Sequence, residues 1–148
     1  MGVITVIKEI KAIHPTDITL VKLGGFYRAY GKDAYILSNI FKYKLKEDEN
    51  IVSCGFPIKT INKVLTKLED KKINYIICDS RDNYNIEEKM DYKNLNKYES
   101  EYETSRIYVN NQIRIEKINN YLIKNASKNE LRKLLKEIED IINAKGKI

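Results

Sequence analysis

The chain has no tryptophan, one histidine, two prolines, two cysteines and six glycines in 148 residues. Each shortage removes a class of protein. A single histidine rules out a multi-histidine metal site, and any Ser-His-Asp triad must use His14. His14 stands before Pro15 at a predicted helix end, where capping or packing is the expected role. Cys54 and Cys78 neither share close spacing nor make a disulfide framework; buried thiols in a reducing, cytoplasmic compartment are expected. So little glycine and proline excludes a collagen-like chain. No apolar run approaches the ~20 residues of a membrane span. The opening MGVITVIKEIKAIHP lacks the basic start, long apolar stretch and small-residue cleavage site of a signal peptide.

What is present suits one domain. Apolar residues make up 43% and charged residues 32%, enough for one core, and about two-thirds of the unfolded surface is expected to be buried. The net charge is +6, with Lys far ahead of Arg. A basic excess suits nucleic acid, and it equally suits a solvated surface in an Ile-, Lys- and Asn-rich sequence.

Ile4, Ile7, Ile10 and Ile13 recur three apart and predict a short helix over 4–13. The β-branched run Ile18–Leu23 predicts a strand, broken by Gly24-Gly25. A helix starts at Asp33, with Ala34, Leu37, Ser38 and Phe41 on one face. Ile51–Cys54 reads as a short buried strand closed by Gly55 and Pro57. Residues 59–71 form a helix with Ile61, Val64, Leu65 and Leu68 as its apolar stripe, and Asn74–Cys78 is a further strand. This alternation predicts an α/β layer fold over 1–80. Polar residues then dominate, and 81–99 reads as a linker or irregular segment. From 100 to 148 the pattern predicts a helical hairpin. Its first stripe is Ile107, Ile115, Ile118 and Leu122; Ser127-Lys-Asn-Glu130 has the form of a capping box; Leu131, Leu134, Leu135, Ile138, Ile141 and Ile142 form the second stripe.

Catalytic motifs do not assemble. Gly25-FYRAY-Gly31-Lys32-Asp33 has a phosphate-loop outline, but five residues separate the glycines rather than four. Asp33 also occupies the place of the Mg²⁺-binding Ser or Thr and would repel phosphate. The acidic runs Glu47-Asp48-Glu49 and Glu87-Glu88 lie in polar, loop-like sequence and read as solvated charge. No enzyme activity, cofactor or metal is expected. Phe26, Tyr27, Arg28 and Tyr30 follow the glycine pair, with Lys22 and Lys32 on either side. Aromatics of this kind stack on or wedge between bases, and the cations meet phosphates. The plainer reading is that Phe26 and Tyr30 cap the core.

Several short matches in order make the chain resemble the N-terminal, mismatch-recognition domain of the MutS family. They are His14-Pro15, Leu23-Gly24-Gly25-Phe26-Tyr27-Arg28, Asp33-Ala34, Cys54-Gly55-Phe56-Pro57 and Tyr75-Ile-Ile-Cys-Asp79. The resemblance covers about residues 4–80. It implies a mixed sheet flanked by helices and a non-catalytic module that binds DNA or an RNA–DNA hybrid. In the family the Phe of a Phe-x-Glu motif wedges beside a mispaired base, and the Glu hydrogen-bonds that base. The resemblance makes Phe26 the wedge and puts Arg28 in the place of the Glu, with Tyr27, Lys22, Lys32 and Lys59 as further nucleic-acid contacts. Arginine only donates and carries the opposite charge, so a phosphate or a narrow minor groove suits it, and altered or lost mismatch specificity is implied. The Asp that usually precedes the Phe is Gly25 here. No clamp, lever or ATPase domain is expected within 148 residues. Small MutS-like proteins of this kind look like those encoded beside bacterial reverse transcriptases in diversity-generating retroelements. The alternative is a protein-interaction adaptor that keeps the fold and docks a second copy or a protein partner through residues 105–143.

Overall fold

The structure is a computed structural model that describes residues 2–48 and 50–146. Glu49 of the acidic run and the last two residues of the C-terminal helical reading lie outside it. The described residues form two compact units, which divide between Val109 and Asn110.

The first unit is a mixed α/β domain. Helix α1 spans Val3–Ile13, strand β1 Ile18–Leu23 and strand β2 Phe26–Tyr30, followed by α2 over Lys32–Phe41. Strands β3 (Lys46–Asp48) and β4 (Ile51–Pro57) come next. A 3₁₀ turn at Ile58–Thr60 leads into α3 (Ile61–Lys71), then strand β5 (Tyr75–Asp79). A second 3₁₀ turn, Ser80–Asp82, precedes β6 (Asn85–Met90) and the long helix α4 (Lys97–Lys124). The six strands form one sheet in the order β3-β4-β2-β1-β5-β6. β1 and β5 are parallel and every other neighbouring pair is antiparallel.

Alternation along the strands loads both faces of the sheet. On one face Ile18, Leu20, Tyr27, Ala29, Cys54, Phe56, Tyr75 and Ile77 meet Ala34, Ile36 and Leu37 of α2, Val64 and Leu68 of α3, and Tyr98 of α4. Aromatic rings run through this core: Tyr27 stacks on Phe56 at 5.6 Å, Phe56 on Tyr43 at 5.7 Å and Tyr43 on Phe41 at 5.2 Å. The other face is smaller, with Val21 and Tyr30 packed under Ile7 of α1.

Sequence expectations change at several elements. The strand at Ile51 passes through Gly55 and ends at Pro57, because Gly55 pairs with Arg28 inside the ladder. The polar stretch after Asp79 contains β6, which pairs along β5. All six β6 residues are exposed, so the strand carries no apolar alternation to read, and its charges suit a sheet edge. Ser127 does not cap α5 (Asn129–Ala144): Lys128 holds the N-cap position and no side chain caps the helix.

The fold is welded by a buried carboxylate. Asp33, in the first turn of α2, is 1% exposed. It accepts hydrogen bonds from the Thr19 backbone N–H at 3.0 Å, the Lys11 ammonium at 3.0 Å and the Tyr98 hydroxyl. Four elements, α1, β1, α2 and α4, therefore meet at one side chain. Burial pushes the Asp33 carboxyl up, while the Lys11 charge and the donors from Tyr98 and Thr19 pull it down; burial prevails. The same contact drives the Tyr98 hydroxyl far above its ordinary value, first through burial and then through the facing carboxylate.

The second unit comprises the end of α4 and α5. Leu131 is buried, and Leu134, Ile138 and Ile142 are half-buried at helical spacing. Of the first predicted stripe Leu122 is half-buried, whereas Ile107, Ile115 and Ile118 are exposed, and the buried α4 positions are Tyr98, Ser105 and Val109.

Candidate nucleic-acid interface

The β1–β2 hairpin turns tightly on Gly24-Gly25, with Gly24 at φ 60°, a conformation that costs glycine nothing. Leu23 then pairs with Phe26, and Phe26 pairs with Pro57 on the other side. The Ile58 backbone N–H donates to the Gly25 carbonyl at 3.1 Å and ties the turn to the start of the α3 segment. Phe26 thus sits on a braced turn and is 49% exposed. Phe56 is buried and Phe41 half-buried, so this is the phenylalanine the fold leaves open.

Arg28 lies two residues on and shares the sheet face of Phe26. It faces Gly55, where a methyl group on the α-carbon would come within 3.1 Å of the Tyr27 carbonyl and 3.4 Å of Arg28 Cγ. Gly55 leaves the sheet surface low enough for the arginine to lie across it.

The remaining expected contacts divide. Lys59 is exposed in the 3₁₀ turn beside Gly25, so it joins Phe26 and Arg28. Lys22 is half-buried and in register with Tyr27 and Asp79, which puts it at the same end of the sheet but on the face opposite Phe26. Tyr27 is 6% exposed and its ring belongs to the core stack, because alternation turns it away from Phe26. Burial raises its hydroxyl pKa, helped by the charges of Glu87, Asp79 and Glu88. Lys32 follows the far end of β2, where it pairs with Glu99 at 3.6 Å and lies 4.8 Å from the Tyr102 ring centre. It braces α4 rather than joining the turn. His14 ends α1 and pairs with Asp17 at 3.3 Å, in keeping with a packing and capping role.

Topology adds a residue that sequence reasoning passed over. β1, β4 and β5 all run the same way, so their carboxyl ends share one edge of the sheet. That edge holds the Gly24-Gly25 turn, the turn at Ile58–Thr60 and the turn at Ser80–Asp82, the last packed against β1. Arg81 is exposed there, beside the glycine turn. Its only sequence signal was one cation in a polar run after a strand. Among the described residues no group of three or more His, Cys, Asp or Glu side chains is placed to hold a metal. Among the same residues no helix is long and apolar enough to cross a membrane.

An α/β sheet that presents an aromatic ring on a rigid turn, with cations at the same edge, has the layout of a recognition module. Comparison with known proteins gives the family. Residues 2–129 match the family model described as MutS domain I, and the chain belongs to that family. Similar proteins include the DNA mismatch repair protein MutS of Phocaeicola vulgatus, 30% identical over 119 residues. That alignment covers 77% of this chain and 13% of the relative. The protein of the same name from Parabacteroides distasonis is 29% identical over 119 residues, again 77% of this chain and 13% of that one. The one from Rickettsia rickettsii is 32% identical over 76 residues, 48% of this chain and 9% of that one. The chain therefore spans about an eighth of the length of the Phocaeicola and Parabacteroides relatives. The family match reaches well past residue 80, into α4 and the turn that follows it.

Proposed function

We propose that this chain is a non-catalytic nucleic-acid-binding module that inserts Phe26 into the minor groove of a deformable or mismatched duplex. The observation that carries this reading is the half-exposed Phe26 ring, held on a turn braced from both neighbouring strands. Wedges of this type insert between base steps where stacking is weakest. Arg28, in the place of the family's carboxylate, donates to a phosphate or to acceptors on the groove floor, so mismatch discrimination differs from that of the Phe-x-Glu relatives. The module works in the cytoplasm, as an accessory to enzymes that handle DNA or RNA–DNA hybrids. The test is a fluorescence-anisotropy titration with perfect duplex, G·T-mismatched duplex, single-stranded DNA and RNA–DNA hybrid. Phe26→Ala is expected to weaken binding to mismatched duplex more than to perfect duplex. Equal affinities for parent and variant on every substrate refute the wedge.

A second reading rests on a different observation. Ile113, Ile115, Ile118, Tyr121 and Ile123 of α4 are all exposed. An adaptor that docks a second copy through residues 105–143 accounts for them. Light scattering at high concentration decides it: a monomer with the C-terminal helices intact counts against self-association.

A further inference from the structure

We infer that Arg81 is a backbone-gripping residue of the same interface, and that it and Lys59 hold opposite phosphate backbones of the duplex whose groove Phe26 enters. This rests on the wedge reading above and adds a residue and a geometry to it. Lys59 stands two residues beyond the end of β4, and Arg81 two residues beyond the end of β5. Between those strands lie β2 and β1, which carry Phe26 and the glycine turn. Three strand steps of ~4.8 Å put the two cations about 14 Å apart along the edge, with the ring between them. A minor groove is ~6 Å wide, so a ring seated in it has a phosphate wall on each side within that span.

Arg81 is also held in place. The Asp79 carboxylate accepts from the Arg81 backbone N–H at 2.9 Å, and the Tyr84 N–H donates to the Asp79 carbonyl at 2.9 Å. Asn83 and Tyr84 turn the chain through two successive left-handed residues, φ 54° and 58°, and Tyr84 packs against the small core beneath α1. The guanidinium is exposed and makes no ion pair or hydrogen bond among the described residues. Asp79 and Asp82 are its acidic neighbours in sequence, and neither engages it. A free guanidinium on a fixed turn matches phosphate bidentately.

The experiment reads the salt dependence of duplex binding for the parent, Lys59→Gln, Arg81→Gln, the double variant and Arg81→Lys. Lys89→Gln is the control, since it lies on β6 toward the opposite end of the sheet. Removing one phosphate contact is expected to lower the slope of log K against log salt by ~0.9, and the double variant lowers it by about 1.8. Arg81→Lys and Lys89→Gln keep the parental slope. Preference between perfect and mismatched duplex stays unchanged, because phosphate contacts carry no sequence information. An unchanged slope for Arg81→Gln beside a lowered slope for Lys59→Gln overturns the role of Arg81 and leaves the wedge standing. A parent that binds no duplex at low salt overturns both.

Discussion

Tyr98→Phe removes one oxygen from the most connected point of the fold. The ring stays, so packing is conserved; the Asp33 carboxylate keeps Lys11 and Thr19 but gives up its third donor. Hydrogen bonds to a charged group contribute roughly 1.5–3 kcal/mol, and a carboxylate this deeply buried finds no ready substitute in solvent. Urea denaturation at neutral pH is expected to show a loss of about 2 kcal/mol, equal to a fall of roughly 8 °C in Tm for a domain near 100 residues. The pH dependence carries the sharper test. Burial raises the Asp33 pKa above its unfolded value. The unfolded chain therefore releases this proton first, and Asp33 alone costs stability as pH rises from the ordinary carboxylate range through its folded pKa. The Tyr98 hydroxyl favours the ionised form and reduces that cost. The difference between parent and variant should thus be small in acid, where Asp33 is protonated in both, and should grow toward neutrality. A difference under about 0.5 kcal/mol at neutral pH, or one equally large in acid, refutes a charge-assisted bond at this site.

Three other outcomes follow from the same geometry. Gly55→Ala puts a methyl group 3.1 Å from the Tyr27 carbonyl and 3.4 Å from Arg28 Cγ. It should cost about 1 kcal/mol in a chemical melt and weaken binding as Arg28→Ala does, with no further loss in the double variant; additive losses break the link. Cys54 and Cys78 are buried, and burial pushes their thiols up to about 12 and about 11. Thiol labelling at mildly alkaline pH should be near zero for the folded chain and complete in denaturant, and rapid labelling of the folded chain contradicts both burials. Arg28→Glu restores an acceptor beside Phe26 and should raise the ratio of mismatched to perfect duplex binding while lowering total affinity; an unchanged ratio removes residue 28 from base reading.

The central strands were legible because β1 and β5 are short, largely apolar runs, buried on both sides of the sheet. α3 was legible for the opposite reason: it has a single apolar stripe on a polar helix. β2 was harder, since Phe-Tyr-Arg-Ala-Tyr varies in exposure but scarcely alternates in polarity. β6 left no trace, because a fully exposed edge strand has no face that must be apolar. Among the candidate residues, Phe26, Arg28 and Lys59 were suggested by motif and charge, and the fold places them at one end of the sheet. Tyr27 and Lys32 could not be sorted from them without the pairing register, which turns one inward and carries the other to the far end of the sheet. The Asp33–Tyr98 contact joins residues 65 positions apart, and no local pattern announces it.

The three turns at the carboxyl ends of β1, β4 and β5 bear on how such a module changes over time. They lie far apart in the chain, at 24–25, 58–60 and 80–82, yet they stand along one edge. Each is attached to a strand that the core already holds, so a substitution in one turn does not disturb the foundations of the others. Ligand preference can then drift one position at a time, while the stability of the domain is set elsewhere, at Asp33 and in the aromatic stack. An arginine beside the exposed ring of Phe26, on a scaffold held elsewhere, is what that separation permits.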